Sequence, residues 1–340
     1  MTPGTAPGSG LGSSAGPLSA GYDAALLDLD GVLYLGDEGI GHASAAVAQA
    51  RSGGMRIAYV TNNASRPPEQ VAAHLCRLGI PAVPHDVVTS AAAAARVLRE
   101  WLGPDAAVLV LGTRALADAV AAAGLRPVRR IEEAGSDGVM GIVQGLDPEL
   151  DWRALAEASV AIRGGALWVA GNADATYPSP RGPLPGNGAM VAALTAATGA
   201  RPLVVGKPAP ELHDEAVARV GARHPLVVGD RLDSDILGAV AVGADSLLVL
   251  TGVTDLRALF GAPVGMRPAF VGPDLRALGL PHPPVTVRGE EAHCGDVVVT
   301  TTQTIFLNGS IPADSTADPG GVAAVRAACA LAWSRRDASG

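Results

Sequence analysis

Lysine is nearly missing from this chain. Of its 25 basic residues one, Lys207, is lysine, which leaves 24 arginines. Cysteine is sparse too. Cys76, Cys294 and Cys329 are odd in number and far apart, which excludes a disulfide framework and a closely spaced metal or redox pair. A reduced, cytoplasmic setting is the expectation. Long hydrophobic runs are absent. The apolar stretches at 106–111 and 246–250 are far too short to span a bilayer, so no membrane partner is expected. There is no basic stripe, and the net charge is −8 at pH 7, which argues against nucleic acid. Residues 1–20 carry no charge and lack the basic-then-apolar order of a secretory signal. They are expected to form a disordered N-terminal tail.

What is present is a large apolar fraction. Aromatics make up 3% of the 340 residues, but hydrophobic residues as a whole make up 48%, mostly Ala, Val and Leu. That suffices for one large or two modest domains. Short apolar runs at 23–30, 55–60, 202–206, 225–230 and 246–250 read as buried strands. Helical patterns at about 42–52, 67–78, 210–220 and 234–242 alternate with them. Strand alternating with helix predicts a parallel sheet covered on both faces. Between the halves lies a second α/β stretch, with strands at 107–111, 138–143 and 167–170. Its helices are expected at 91–101, 113–123, 151–162 and 188–197. The predicted fold is therefore α/β, a doubly wound parallel-sheet core (21–84 and 202–282) with an inserted α/β cap domain (85–201). The remaining 283–340 form a C-terminal extension with a β-type run at 297–304 and a helical one at 321–333. No catalytic pattern shows there. It reads as an oligomerisation element or an extra layer on the core.

Polar groups stand where the predicted core strands end: Asp28 and Asp30, Thr61 and Asn62, Lys207, and Asp230. In an open parallel sheet such ends converge on one crevice. Three carboxylates there would repel one another unless a cation is bound. Oxygen-only ligands suit Mg²⁺. One carboxylate can then attack phosphorus and carry an aspartyl phosphate, and a neighbour two residues on can act as acid and base. Mg²⁺ and Lys207 neutralise the phosphoryl oxygens. The Thr61 hydroxyl and the Asn62 N–H can hold another, ahead of a helix start.

The same residues carry a resemblance. D-L-D-G-V-L-Y (28–34), T-N-N-A-S (61–65), G-K-P (206–208) and G-D-R-L-D-S-D (229–235) resemble, in order, the four motifs of the haloacid dehalogenase superfamily. An insert between the second and third resembles the subfamily with a large α/β cap, which includes the p-nitrophenyl phosphatases. G-N-A-D-A-T-Y-P (171–178) and P-G-N-G (185–188) resemble that cap's substrate-side segment. Over about 22–280 the chain is similar to bacterial glycerol 3-phosphate phosphatases, for example in A-I-R-G-G-A-L-W-V-A (161–170) and L-P-G-N-G-A-M-V-A-A-L (184–194).

The resemblance implies a Mg²⁺-dependent phosphomonoesterase acting on a small phosphorylated metabolite, glycerol 3-phosphate foremost. Asp28 would be nucleophile and metal ligand. Asp30 would be the acid/base, with its carbonyl on the metal, and Asp230 a further metal ligand. Asp235 would orient metal-bound water, Thr61 and Asn62 would hold phosphate, and Lys207 would steady nucleophile and phosphate. Asn172, Asp174 and Arg181 are candidates for substrate contact. A homodimer is also implied. Phosphoglycolate, nucleoside monophosphates, sugar phosphates and pyridoxal phosphate remain open as substrates. A dehalogenase would not need Asp30. A non-catalytic phosphometabolite sensor is the rival of another class, and the intact acid/base speaks against it.

Bland readings stand beside these. T-N-N serves equally as a turn and helix cap. Asp233 reads as helix-start charge, and His213 as a surface histidine. Lys207 would be an ordinary surface cation were it not the sole lysine. Arginine evidently serves elsewhere, and a compact ammonium differs from a broad guanidinium fork.

Overall fold

The computed structural model describes residues 10–177, 179, 181–300 and 319–339. They fall into two compact units. The first draws on Met1–Tyr59, His74–Ala82 and Ala216–Gly340, the second on Val60–Ala73 and Val83–Glu215. The second thus takes in 60–73 and 202–215 as well as the stretch expected as the cap.

From the first unit five strands lie in the order Phe270–Gly272, Asp245–Val249, Pro225–Gly229, Ala24–Leu27, Arg56–Thr61, the last running on into the second unit at Val60, and each pairs in parallel with its neighbour. Ala24–Leu27 is buried along its whole length, as a strand covered on both faces must be. Four of these five follow from local sequence pattern. The Phe270–Gly272 strand does not, because three residues carry too little periodicity.

The second unit holds its own parallel sheet, in the order Leu203–Val204, Leu167–Ala170, Gly141–Gln144, Ala107–Leu111, Arg126–Val128. Helices Ser90–Leu102, Arg114–Ala122, Trp152–Arg163 and Asn187–Thr198 belong with it. Leu203–Val204 corrects an expectation. This strand before Lys207 was predicted for the core sheet, yet it pairs with Val169 and Ala170 in the second. Two residues hold no period, so only pairing could decide. His213 is a second correction, being 1% exposed. Leu212, His213 and Ala216 share the buried face of helix Pro210–Val220.

The C-terminal extension is an extra layer on the first unit's core. Strands Val285–Arg288, Glu291–Cys294 and Val297–Thr300 form an antiparallel sheet, and helix Pro319–Ser339 joins its apolar cluster. Val299, Val325, Leu331 and Trp333 are packed there with Ile236, Leu248, Phe260 and Val271 of the core. Arg267 grips Asp337 through two 2.6 Å bonds and lies 5.2 Å from the Trp333 ring. Of the expected 297–304 run, residues 301–304 lie outside the described ones.

The N-terminal tail is the third correction. Residues 1–9 lie outside the described ones, but 10–20 are ordered. Gly12 N–H donates to the Ala269 carbonyl at 2.8 Å and Ser14 N–H to that of His282 at 2.8 Å. Leu18 is fully buried. The buried Arg326 donates to the Gly12 and Pro283 carbonyls at 2.7 and 3.0 Å. Low local hydrophobicity predicted disorder, whereas these anchors lie hundreds of residues away in sequence. Among the described residues no helix is long and apolar enough to cross a membrane. All three cysteines are free thiols.

Candidate active site

In the first unit, two adjacent parallel strands deliver two acids to one edge. Leu27 lies in register with Val228, so Asp28 and Asp230 follow at the same sheet end. Asp28 N–H donates to the Val228 carbonyl at 2.9 Å. Asp235 comes from the next turn, Leu232–Ile236. That turn is wide, with Ile236 N–H reaching back five residues to the Arg231 carbonyl at 3.2 Å. Wide turns of this kind occur often at functional sites. Asp28, Asp230 and Asp235 each bring a carboxylate oxygen within 4.8 Å of the other two. Asp230 and Asp235 are each 1% exposed, and Asp28 is half-buried. The Asp30 carboxylate is exposed and stands outside this trio.

Glycines make the trio sterically feasible. A Cβ on Gly31, whose φ is +81°, would fall 2.5 Å from the Asp230 carboxylate, and one on Gly252 or Gly229 would overlap Asp230 or Asp235. Asp230 is further pinned by the segment 251–254, which the sequence analysis did not single out. Val253 N–H donates to Asp230 Oδ2 at 2.6 Å, and Thr254 N–H to its carbonyl at 3.1 Å. The Thr251 hydroxyl donates to the Gly31 carbonyl at 2.5 Å. The available signal was the Thr-Gly pair directly after a buried strand. Asp233 is excluded from the cluster by its partner. Arg231 holds it in a two-pronged bond of 3.0 and 2.9 Å, which keeps its carboxyl below the ordinary range. That agrees with reading Asp233 as peripheral charge.

Thr61, Asn62 and Lys207 belong to the second unit. There the segment 61–66 lies over the C-terminal ends of the second sheet. Its docking again depends on glycine. Gly145 and Gly171 follow two of the strands, and a Cβ on either would crowd Ala64, at 2.9 and 3.2 Å. The Thr113 hydroxyl donates to the Ser65 carbonyl at 3.0 Å. The segment is also locally closed, since the Thr61 hydroxyl accepts from Asn63 N–H at 3.1 Å. Asn63 Oδ1 accepts from the N–H groups of Ser65 and Arg66 at 2.7 and 3.1 Å. This is the turn-and-cap role expected of such residues, and it leaves room for another.

Lys207 is 8% exposed, unusual for a lysine. Asn62 pairs with its backbone at both ends. Lys207 N–H donates to Asn62 Oδ1 at 2.7 Å, and Asn62 Nδ2 donates to the Lys207 carbonyl at 3.2 Å. Of the three candidates for substrate contact, Asp174 and Arg181 are exposed. Asn172 is 6% exposed, and its amide is engaged by the protein. Nδ2 donates to the Asn62 carbonyl at 2.9 Å and Oδ1 accepts from Asp174 N–H at 3.3 Å.

Comparison with known proteins agrees with this geometry. The family model for haloacid dehalogenase-like hydrolases matches residues 25–126, and a second, HAD-hydrolase-like, matches 204–278. The chain is 49% identical over 321 residues to the D-glycerol 3-phosphate phosphatase of Mycobacterium tuberculosis, covering 93% of this chain and 87% of that one. This chain belongs to the haloacid dehalogenase-like hydrolases. A solved structure of the M. tuberculosis glycerol phosphate phosphatase in complex with magnesium is similar at a TM-score of 0.80 and 45% identity, over 94% of this chain and 92% of that one. A p-nitrophenyl phosphatase from Archaeoglobus fulgidus is similar at a TM-score of 0.69 and 29% identity, over 76% and 98%. Both agree with a hydrolase core of doubly wound α/β type carrying an α/β cap.

Proposed function

We propose that this protein is a Mg²⁺-dependent phosphomonoesterase, with glycerol 3-phosphate as its foremost substrate, acting through a phosphorylated Asp28. The observation that carries the reading is the glycine-lined trio Asp28, Asp230 and Asp235. Its all-oxygen donors fit a hard divalent cation, and like charges so close are costly without one. The trio, joined by the Asp30 carbonyl, would hold Mg²⁺, with Asp235 also orienting a bound water. When bound, the cation supplies charge neutralisation at the phosphoryl oxygens.

The chain's own residues then divide the work. The Asp28 carboxylate attacks phosphorus. The bond from phosphorus to the leaving alkoxide breaks, and the Asp30 carboxyl gives that alkoxide its proton. In the second half Asp30, now a carboxylate, takes a proton from water. The water oxygen attacks phosphorus, and the Asp28–phosphate bond breaks to release inorganic phosphate. The Thr61 hydroxyl, the Asn62 N–H and the Lys207 ammonium bind phosphoryl oxygens. Residues 85–201 serve as the cap, with Asp174 and Arg181 as exposed candidates for the alcohol portion. The three free thiols support a reduced, cytoplasmic setting. A homodimer rests on the family resemblance of the sequence alone.

The first experiment is phosphate release by purified protein, with and without Mg²⁺, from glycerol 3-phosphate, phosphoglycolate, pyridoxal phosphate, a sugar phosphate, nucleotides and p-nitrophenyl phosphate. Mg²⁺-dependent release led by glycerol 3-phosphate is expected. A different leader would keep the chemistry and overturn the substrate, while no release at all with an intact fold would favour the sensor. A second check concerns the cradle. Gly252→Val drives a side chain into Asp230, so Mg²⁺ affinity by calorimetry is expected to fall at least about tenfold. Unchanged affinity would remove Asp230 from the ligand set.

A further inference from the structure

The buried Asn172 and Asn187 of the second unit join the half-buried Asn62 in a chain whose side-chain amides the proposed chemistry does not use. Asn187 is 1% exposed, and its Nδ2 donates to the Asn172 carbonyl at 2.6 Å. Asn172 Nδ2 donates to the Asn62 carbonyl at 2.9 Å. That carbonyl also accepts from the hydroxyl of the fully buried Ser90 at 2.6 Å. The Asn62 side chain then pairs with both the N–H and the carbonyl of Lys207.

The backbone is shaped around this chain. A Cβ on Gly206 would come within 2.8 Å of Asn62 Oδ1, and one on Gly186 or Gly188 would overlap the 173–176 backbone. Gly186 N–H and Gly188 N–H donate to the carbonyls of Ala175 and Asp174, at 2.8 and 2.9 Å. These bonds seat Asn187 beneath Asn172. Asn187 Oδ1 has no hydrogen-bond partner among the described residues. A buried acceptor left so is destabilising, and an apolar residue of like volume would avoid it. The position therefore keeps its amide for the donor it supplies.

We propose that Asn187, Asn172 and Ser90 are positioning residues that act through Asn62 to fix the backbone of Lys207. The inference rests on the phosphatase reading for what Lys207 does, though its geometry stands alone. Because two donors converge on the Asn62 carbonyl, that peptide cannot rotate without stranding both. The Asn62 amide then has one orientation in which to hold Lys207. A buried lysine on a long flexible stem is useful to a phosphoryl group only if its root is fixed. Asn172 is accordingly a positioning residue and not a contact to the alcohol portion of the substrate.

Two variants test this. Asn172→Asp is nearly isosteric and keeps the acceptor for Asp174 N–H, but loses the donor to Asn62. Ser90→Ala removes the other donor. Each is expected to lower kcat by about 10–100-fold, and by the same factor for glycerol 3-phosphate and p-nitrophenyl phosphate, because phosphate handling is common to both. The thermal midpoint is expected to stay within a few degrees.

An activity-independent readout follows from the lone lysine. Protein labelled with ¹⁵N-lysine gives one backbone amide peak, the N–H that donates to Asn62. In both variants this peak is expected to shift and its exchange protection to fall by at least tenfold. A loss confined to glycerol 3-phosphate and seen in KM would make Asn172 a substrate contact and overturn the proposal. So would an unmoved peak with wild-type rates. If Asn172→Asp does not fold, Ser90→Ala decides alone. If the wild-type protein releases no phosphate, the phosphatase reading fails, and the lysine peak still tests the relay.

Discussion

The substitution Asp28→Asn is expected to abolish phosphate release while the protein stays folded. The expected loss is on the order of 10⁴-fold or more, equivalent to a barrier raised by about 5 kcal/mol. Asparagine fills the same volume at the end of the buried Ala24–Leu27 strand. Its backbone N–H can still reach the Val228 carbonyl, so nothing in the core changes. What is lost is the anionic oxygen that attacks phosphorus. A second effect has the opposite sign. Asp28, Asp230 and Asp235 lie within 4.8 Å of one another, and neighbouring carboxylates at such spacing repel by a few kcal/mol at an effective dielectric of about 20. Without Mg²⁺, D28N is therefore expected to melt at or above the wild-type temperature. With saturating Mg²⁺, its midpoint rises less than that of the wild type. Phosphate release and two melting curves check all three statements. Turnover by D28N would show that Asp28 is not the nucleophile. A lower midpoint without metal would mean the trio is not under repulsion.

Trp333→Ala is expected to cost about 3–5 kcal/mol of stability while leaving kcat of the folded fraction unchanged. Trp333 is 3% exposed in the cluster where the C-terminal helix meets Leu259, Phe260 and Val271. Its indole N–H donates to the Leu259 carbonyl at 3.0 Å, so truncation removes one of that carbonyl's donors, with Ala262 N–H remaining at 3.1 Å, and opens a cavity. The Arg267 guanidinium beside the ring would lose the aromatic face but keep Asp337. None of these groups belongs to the carboxylate trio or to the Lys207 network. Urea unfolding gives the energy, and kcat at low temperature separates the two effects. Loss of kcat in fully folded protein would tie the extension to catalysis.

Local pattern carried far in this chain. The strands at 107–111 and 167–170 fall where the sequence places them, and the helix at 210–220 does so as well. Each is a short apolar run, or a 3.6-residue repeat, with Gly or Pro at an end. Where the reading failed, the deciding partner lay far along the chain. Leu203–Val204 is too short to announce its sheet, and pairing with Val169 and Ala170 chose it. Residues 10–20 look featureless until the Ala269, His282 and Arg326 contacts are seen. Asn172 entered only as a candidate for substrate contact, through the family resemblance. Its burial against Asn62 bridges 110 residues.

By itself, then, the sequence determined the chemical inventory. Asp28, Asp30, Thr61, Asn62, Lys207 and Asp230 each stand at a strand end or the turn after it, a lone lysine stands among arginines, and Asp235 entered through the family resemblance. These are short-range facts, set by side-chain type and by a period of two or 3.6 residues. Only the tertiary structure decided which groups meet. It joined Asp235 to Asp28 and Asp230, brought Val253 N–H onto Asp230, and linked Asn187 to Lys207 through Asn172 and Asn62. Such contacts depend on strand register and on glycines that let backbones approach, and neither leaves a periodic trace in the amino-acid order.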